Sequence, residues 1–165
     1  MTETELVQDK LLPLVELSRR RCGWRTYSQD TVFTNGVFDL IHPGHLTYLA
    51  EAAALGQRLI VGVNSDESVK RLKGDCRPIM PLAARMQLLA GLFYVDGVIA
   101  FDEDTPLELI KSLRPDVLVK GGDYQVDEIV GAKEVRAWGG DVRVLPFLEG
   151  YSSTRIIERM QGISI

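Results

Sequence analysis

The only two histidines of the chain fall in one short segment, His42-Pro43-Gly44-His45. A proline suits the first turn of a helix, and the missing side chain of Gly44 lets a phosphate approach the backbone closely. Histidines three residues apart project from the same side of that turn, where free amides and the helix dipole attract anions. The segment therefore predicts a phosphate site in which both imidazoles donate hydrogen bonds to a phosphoryl group as its charge rearranges.

Two other interpretations of this histidine pair stay open from the residues alone. The rings could be ordinary loop histidines, or they could bind a metal ion. A spacing of three without a nearby cysteine is weak evidence for zinc, and we predict no metal ligands among the protein's own side chains. Gly36 and Asp39, between a predicted strand and a predicted helix, favour the phosphate site.

Basic residues cluster in the middle of an otherwise acidic chain, at Lys70, Arg71, Lys73 and Arg77. Such a run usually forms a solvated helix face. Lys73 differs from the others because Gly74 follows it, which predicts a loop after the helix. A lysine on such a loop can reach a phosphate as a mobile point charge.

Two further segments carry residues that suit a nucleotide. Lys120-Gly121-Gly122-Asp123 follows an apolar strand pattern, and its glycines would let a base or ribose contact the backbone. A tight turn would also explain the glycines, but it would not explain a lysine at the end of an apolar strand. Ser152, Ser153 and Thr154 precede the last predicted helix, where hydroxyl residues act as caps in any protein and can also bind phosphate.

Short apolar runs alternate with amphipathic stretches from residue 31 onwards. Strands rich in Val, Ile and Leu without polar alternation are typical of a parallel sheet covered on both faces. The predicted fold class is therefore α/β, a doubly wound, Rossmann-like, five-stranded parallel sheet with helices on both faces. The predicted strands are 31–34, 59–63, 97–100, 117–119 and 142–145, and the predicted helices are 44–55, 66–71, 82–92, 105–113, 127–137 and 153–160.

The N-terminal part of the chain is predicted to be a helix over residues 5–21. Pro13 either splits this helix or marks its first turn, and Gly23 is a suitable stop. We therefore divide the chain into an N-terminal helical extension, residues 1–30, and a main domain, residues 31–165.

The winding of the sheet predicts where these segments meet. Ligands of open α/β sheets bind beyond the carboxyl ends of the strands, where the winding direction reverses. The first predicted strand runs into residues 34–39, and the fourth runs into residues 120–123. If these strands are neighbours, both loops open onto one crevice.

Residues 34–45, TNGVFDLIHPGH, resemble the signature of the cytidylyltransferase-like nucleotidyltransferase superfamily. More narrowly, the chain is similar to the adenylyltransferases that make ADP-heptose from D-glycero-β-D-manno-heptose 1-phosphate and ATP for lipopolysaccharide core or surface polysaccharide. It is similar to their stand-alone form, which lacks the sugar kinase domain found in many bacteria. The likeness runs from Thr31 to Met160 and includes VNSD at 63–66, RLKGD at 71–75, VKGGDY at 119–124, KEV at 133–135 and SST at 152–154.

This resemblance implies a direct displacement, in which a sugar-phosphate oxygen attacks the α-phosphorus of ATP and magnesium pyrophosphate leaves. Mg²⁺ is expected only with ATP, and catalysis then depends on positioning and charge stabilisation. The catalytic residues that it implies are His42, His45 and Lys73. The nucleotide-binding residues that it implies are Thr34, Asn35, Gly36, Phe38, Gly44, Lys120, Gly121, Gly122, Asp123, Ser152, Ser153 and Thr154. The substrate-binding residues that it implies are Asp39, Asn64, Arg71 and Arg85.

Two of these residues have more specific expected roles. Asp39 is expected to organise its loop and to help place magnesium. Arg85 is expected at the substrate end of the site, although an arginine on an amphipathic helix would by itself form a surface ion pair.

One departure from the wider family bears on the nucleotide. Glycerol-phosphate cytidylyltransferases have an Arg-Thr-Glu-Gly pattern where this chain has Phe147-Leu148-Glu149-Gly150. The missing arginine favours adenine over cytosine. Our leading hypothesis is adenylyl transfer to heptose 1-phosphate. Cytidylyl transfer to a polyol phosphate such as glycerol 3-phosphate, and a non-catalytic nucleotide-binding domain, remain alternatives.

Composition sets the outer limits on partners and location. With 45% hydrophobic residues, 25% charged residues and a net charge of −4, the chain fits one soluble domain without a bulk field for nucleic acid or anionic membrane. Its two distant cysteines and its acidic N-terminus, which lacks a signal-peptide pattern, predict a cytoplasmic protein. Phosphate-loop and dinucleotide-binding glycine motifs are absent. The resemblance also implies a homo-oligomer, at least a dimer.

Overall fold

A computed structural model describes residues 2–162 of the chain. Its strands are β1 (Thr31–Gly36), β2 (Arg58–Asn64), β3 (Gly97–Phe101), β4 (Val117–Gly121) and β5 (Asp141–Leu145). Within these residues the α-helices are α1 (Glu3–Gln8), α2 (Leu14–Thr26), α3 (Pro43–Ala53), α4 (Asp66–Lys73), α5 (Leu82–Ala90), α6 (Leu107–Leu113), α7 (Ala132–Ala137) and α8 (Ser153–Met160).

All five strands run parallel in one sheet, in the order β3-β2-β1-β4-β5. The winding direction reverses between β1 and β4, which are hydrogen-bonded neighbours. The doubly wound fold class is confirmed, and the loops that follow β1 and β4 open onto the same edge of the sheet. A ligand crevice is expected at this reversal point.

Two layers of helices cover the sheet, and each buries its own hydrophobic cluster. On one face Leu17 of α2 and Ile110 of α6 pack with Phe33 of β1. On the other face Leu49 of α3 and Leu89 of α5 pack with Val61 of β2. These side chains are at most 1% exposed, and the burial of so much apolar surface holds the strand ends rigidly in place.

The N-terminal helical prediction is right in type but wrong in its boundaries. The segment is split into α1 and α2, with Pro13 as the N-cap of α2, so a single helix over 5–21 does not form. The second helix continues through Gly23 as far as Thr26, because a glycine weakens a helix without stopping it when flanking contacts persist. Leu17 anchors α2 in the core.

Strand and helix ends differ from prediction mainly where glycines lie. Strands β1 and β4 continue to Gly36 and Gly121, because backbone pairing with Val63 and Leu145 extends through both glycines. The helix predicted at 127–137 is a short 3₁₀ turn at Val126–Glu128 followed by α7. Gly131, with a φ of 88°, separates the two, since it packs against Ile110 where a Cβ would lie 2.8 Å from that side chain.

No helix among residues 2–162 combines the length and hydrophobicity that crossing a lipid bilayer requires.

Candidate active site

The two histidines lie at the start of α3, at the edge of the sheet where β1 ends. His42 is the N-cap in extended conformation, and its Nδ1 accepts a hydrogen bond from the His45 amide at 3.4 Å. Pro43 occupies the first turn, as its fixed φ favours. The rings stack with their centroids 3.8 Å apart and an interplanar angle of 23°. A Cβ at residue 44 would lie 3.0 Å from the His42 ring, so a glycine is required beneath the stack.

Burial makes both imidazoles poor bases. It lowers the pKa of His45 to about 4, helped by repulsion from the neighbouring His42 and from Lys73. Burial also lowers the pKa of His42. Both rings are therefore neutral near pH 7, and each offers one N–H donor rather than a positive charge. The Nδ1 atom of His45 is shielded from solvent and has no hydrogen-bond partner of normal geometry among the described residues.

The loop after β1 supports this pair from below. Phe38 has a φ of 49°, a rare value for a bulky residue, and its ring centroid lies 5.3 Å from that of His45. A Cβ at Gly36 would lie 3.0 Å from the Phe38 ring, which explains the glycine. Asn35, Gly36 and Phe38 all line cavities at this edge.

Thr34 differs from its neighbours, because its side chain faces the core instead of a cavity. Its hydroxyl lies 2.5 Å from the hydroxyl of Tyr48, and both side chains are buried. Burial raises the pKa of Tyr48 to about 12. The Thr34 side chain therefore ties β1 to α3, which leaves only its backbone groups for the predicted nucleotide contact.

Asp39 organises the loop, as predicted, but it is not placed to hold magnesium. Its carboxylate is 1% exposed and accepts hydrogen bonds from the amides of Ile79 and Met80 and from Arg77 Nε at 2.7 Å. Burial raises the pKa of Asp39, but these donors outweigh burial and leave the pKa below its usual value. With its oxygens engaged by the protein, Asp39 is not free to contact a substrate or a metal ion.

Arg85 supports the structure of the site and is not placed to contact a substrate, in contrast to the prediction. Its side chain is fully buried, and its guanidinium donates to the carbonyls of Met80 and Val37 and to the carboxylate of Asp66. These bonds connect the loop after β1 with the starts of α4 and α5. An arginine on an amphipathic helix suggested a surface or ligand position, because periodicity does not reveal an inward-facing cation with three partners.

Lys73 ends α4 and lines the crevice, whereas Arg71 on the same helix is paired with Asp104. Burial lowers the pKa of Lys73, with repulsion from Arg77 acting in the same direction. Arg71 forms an ion pair with Asp104 at 2.9 Å, and its side chain is 45% exposed. Arg71 is therefore paired with a residue that lines the crevice, Asp104, although Arg71 itself does not line it.

Three cavities open at this edge, and each is named here by its walls. The histidine cavity, about 230 Å³, is lined by both histidines, Lys73 and residues 151–154. The glycine cavity, about 180 Å³, lies beside Gly121 and is lined by His45 and Phe147. The larger cavity, about 510 Å³, extends from Asn35 towards α6. Lys73 lines the histidine and larger cavities, so the two are neighbours.

The hydroxyl segment before α8 completes the histidine cavity. Ser152 is the N-cap and accepts a hydrogen bond from the Arg155 amide at 3.1 Å. The hydroxyl of Ser153 donates to the carbonyl of Leu40 at 3.1 Å, which connects this segment to the histidine loop. Ser152, Ser153 and Thr154 all line the cavity, so the helix start and the imidazoles face the same space.

The end of β4 forms the opposite wall. A Cβ at Gly121 would lie 2.6 Å from the Phe147 ring, and Gly122 has a φ of 120°, so both glycines are required by their surroundings. Lys120 lines the glycine cavity and the larger cavity. Asp123 is exposed and lines none of the three cavities, so its predicted nucleotide contact is not formed by this arrangement.

Asn64 sits at the end of β2 and lines the larger cavity, as its predicted substrate role requires. Its side-chain amide donates to the Ser68 hydroxyl at 3.0 Å, and the residue is only 4% exposed. This bond fixes the direction in which the Asn64 carbonyl group points.

Sequence reasoning did not assign the aromatic walls of the site. Tyr48, Tyr124, Phe147 and Tyr151 line the cavities, and the Tyr151 ring lies 6.2 Å from the His42 ring at an angle of 21°. Tyr124 directly follows the KGGD segment and Tyr151 directly precedes Ser152, so their places beside these motifs could have indicated that they line the site. No cluster of three His, Cys, Asp or Glu residues able to hold a metal ion occurs in the described part of the chain.

Comparison with known proteins gives a consistent set of relatives. The sequence profile of the cytidylyltransferase-like family matches residues 33–159. The bifunctional protein HldE of Hydrogenovibrio crunogenus is 54% identical over 158 residues, which are 96% of this chain and 32% of that protein. HldE of Actinobacillus succinogenes is 53% identical over 163 residues, which are 99% of this chain and 32% of that protein. The chain thus spans about a third of the length of these curated relatives.

One solved structure is also similar to this chain, at a lower sequence identity. The lipopolysaccharide core biosynthesis protein from Thermoplasma volcanium GSS1 has 31% sequence identity and a TM-score of 0.60 with this chain. The match covers 75% of this chain and 99% of that protein.

Proposed function

The chain belongs to the cytidylyltransferase-like family, and we propose that it transfers AMP from ATP to D-glycero-β-D-manno-heptose 1-phosphate, forming ADP-heptose and pyrophosphate. The product would supply heptose for lipopolysaccharide core or surface polysaccharide. The motifs that resemble ADP-heptose-forming adenylyltransferases support this activity. Similarity over nearly the whole chain to bifunctional HldE proteins, of whose length the chain spans about a third, also supports it. So does similarity, over 75% of the chain, to a lipopolysaccharide core biosynthesis protein.

The observation that carries the proposal is the histidine cavity itself. Two stacked, neutral imidazoles, the start of α8 and Lys73 face one space at the reversal point of the sheet. Neutral N–H groups can hydrogen-bond a phosphoryl oxygen as charge develops on it, without holding the product as tightly as a cation would. A triphosphate is the ligand whose size and charge match this set of donors.

The reaction needs no covalent intermediate on the protein. A phosphate oxygen of the sugar phosphate forms a bond to the α-phosphorus of ATP, and the bond from that phosphorus to the bridging oxygen of the β-phosphate breaks. The bond electrons leave with pyrophosphate, and the attacking oxygen is already anionic, so no general base is required. The protein's contribution is alignment and charge stabilisation.

We assign the residues accordingly. His42 and His45 hydrogen-bond the phosphoryl oxygens, Lys73 neutralises charge on the triphosphate, and the hydroxyls before α8 bind its terminal phosphates. Asn35, Gly36 and Phe38 contribute the loop beneath the α-phosphate. Mg²⁺ enters as part of the substrate MgATP, held by the triphosphate oxygens, because the nearby Asp39 is already hydrogen-bonded by the protein.

Adenine is proposed to lie in the glycine cavity. Phe147 and Gly121 provide a flat apolar wall there, and the chain has no arginine in the 147–150 segment. The absence of that arginine, which the glycerol-phosphate cytidylyltransferases have, favours ATP over CTP. A homo-oligomer and a cytoplasmic location complete the proposal.

The test is pyrophosphate release from purified protein with heptose 1-phosphate, ATP and Mg²⁺. We expect release that requires all three, with a much lower rate when CTP replaces ATP. Glycerol 3-phosphate serves as the matched acceptor control. Release with CTP and glycerol 3-phosphate but not with ATP and heptose 1-phosphate would replace the proposal by polyol-phosphate cytidylyl transfer. Nucleotide binding without release from any acceptor would indicate a non-catalytic domain.

A further inference from the structure

Lys120 stands at the boundary between two cavities and has no partner of its own. It is the penultimate residue of β4, and its side chain lines both the glycine cavity and the larger cavity. Within residues 2–162 its amine forms no ion pair and no hydrogen bond, and its only recorded polar contact is the Tyr124 ring, 5.9 Å from the ring centroid. A cation–π contact at this distance is weak.

This arrangement is unfavourable unless an anion completes it. The residue is partly buried, and desolvation by burial lowers the pKa of Lys120. Arg77, which borders the site, is paired with Asp39, whereas Lys120 has no ion pair among the described residues. Lys120 is therefore an unpaired amine at a cavity wall. A bound phosphate would replace the hydration that the amine loses when the chain folds.

The larger cavity has mostly apolar walls together with polar groups that suit a sugar. Its rim brings together amide, hydroxyl and carboxylate groups from four segments, including Asn35, Asn64, Thr105 and Glu128. Such groups pair with the alternating donors and acceptors of a polyhydroxylated ring. With a volume of about 510 Å³, the cavity has room for a sugar phosphate.

The other two cavities already have better occupants under the proposed function. The histidine cavity carries the imidazoles and the hydroxyls before α8, and Lys73 serves the triphosphate there. The glycine cavity has the flat wall of Phe147 for the base. Lys120 lies where the larger cavity meets the glycine cavity. Under the proposed function, the acceptor and the α-phosphate of ATP approach each other close to this position.

We propose that Lys120 binds the phosphate of the acceptor sugar in the larger cavity and is not a nucleotide-binding residue. The assignment rests on the proposed function for the identity of the acceptor. The amine would hold the phosphate through its charge while leaving one oxygen free to form the bond to the α-phosphorus. Lys73 and Lys120 then neutralise the two reactants separately, which reduces the repulsion between an anionic nucleophile and an anionic electrophile.

The test compares Lys120→Met with Lys120→Arg in steady-state kinetics, with each substrate varied while the other is saturating. For Lys120→Met we expect KM for heptose 1-phosphate to rise roughly 10- to 100-fold, the size typical of a lost charged hydrogen bond, while KM for ATP stays within about twofold. Lys120→Arg should recover part of the loss, because the charge is kept and the geometry is altered.

Two controls separate this role from a structural one. Lys111→Met removes an exposed amine that pairs only with Glu108, and it should leave both KM values unchanged. The melting temperature of Lys120→Met should stay equal to or above that of the wild type, because an unpaired, partly buried charge is removed. If that variant does not fold, Lys120→Gln replaces it in the same assay.

Several results would overturn the assignment. A rise in KM for ATP rather than for the sugar phosphate would return Lys120 to the nucleotide. Unchanged KM values, or a fall in kcat alone, would exclude a role in acceptor binding. If the wild type releases no pyrophosphate, the proposed function fails on its own, and calorimetric titration of heptose 1-phosphate then decides about Lys120. Equal affinity for the wild type and Lys120→Met would reject it.

Discussion

At the scale of single residues, the account depends on imidazoles that are uncharged at neutral pH. His45 is packed between Phe38 and His42, and this burial lowers its pKa to about 4. A neutral ring at the start of a helix donates to a phosphate through its N–H, with the helix amides adding to the same anion site. The chemistry of the pair follows from its packing as much as from its residue type.

Replacing His45 by alanine tests this role. We expect kcat for pyrophosphate release to fall by at least about 10²- to 10³-fold, as when one donor to a developing oxyanion is removed, with little change in the melting temperature. His45→Asn, which keeps an N–H donor in a shorter side chain, should retain more activity than His45→Ala. Equal rates for wild type and His45→Ala would exclude the ring from the reaction.

The lowered pKa of His45 also predicts how stability depends on pH. The unfolded ring titrates near its usual value of 6.5 and the folded ring near about 4, so the unfolded state binds more protons between these values. Its contribution to stability is therefore complete above pH of about 6.5 and is lost as pH falls towards about 4. We expect the free energy of unfolding, measured with urea, to decrease over this window more steeply for the wild type than for His45→Gln. Parallel curves would contradict the burial of this ring.

At the scale of elements, three buried connections hold the crevice in shape. The hydroxyls of Thr34 and Tyr48 join β1 to α3, and the Arg85 guanidinium joins the loop after β1 to the starts of α4 and α5. Asp39 adds a third connection to the segment that precedes α5. Tyr48 also lines the histidine and glycine cavities, whereas Asp39 and Arg85 act only by holding neighbouring segments together.

Tyr48→Phe tests the first connection. The change leaves the Thr34 hydroxyl buried without its partner, so we expect a loss of about 1–2 kcal/mol in the free energy of unfolding. Because α3 carries the histidines, kcat should fall several-fold while KM for ATP changes little. The double variant Tyr48→Phe with Thr34→Val removes both polar groups and should regain part of the stability. A double variant less stable than Tyr48→Phe would show that the hydroxyl pair is not the connection.

The sequence predicted the strands, most of the helices and the edge of the sheet where the motifs meet. It did not predict the direction in which several side chains point. Apolar runs located all five strands, whereas the pairing of β1 with β4 was only a condition of the sequence argument and is shown by the structure. Thr34, Asp39 and Arg85 lie within or beside ligand motifs, yet each faces a buried partner. Tertiary hydrogen bonds decide such orientations, and residue spacing along the chain carries no record of them.

At the scale of the whole molecule, the active edge is assembled from loops that are far apart in the chain. The residues that line the cavities lie at the carboxyl-terminal edge of the sheet. They come from the ends of β1, β2, β4 and β5 and from α4. The chain carries a net charge of −4, so the attraction for polyphosphate is local to these loops. Because a bound nucleotide would contact several of these loops at once, its binding should raise the free energy of unfolding of the whole domain.

Thermal denaturation with nucleotides tests this linkage. At an MgATP concentration of about 100 times its Kd, the folded state should gain about 2.7 kcal/mol, seen as a rise in melting temperature. MgCTP at the same concentration should give a clearly smaller rise. Lys73→Met should reduce the effect of MgATP, whereas Lys111→Met, which changes an exposed lysine of α6, should not. A larger rise with CTP than with ATP would contradict the assignment of adenine to the glycine cavity.

The most direct measurement follows the oxygen atoms of the acceptor. Heptose 1-phosphate labelled with oxygen-18 in its non-bridging phosphate oxygens is incubated with the protein, ATP and Mg²⁺, and the products are analysed by mass spectrometry. Direct attack by the sugar phosphate predicts ADP-heptose that retains all of the label, together with unlabelled pyrophosphate. Label in pyrophosphate or AMP, or no ADP-heptose at all, would contradict adenylyl transfer at the histidine cavity.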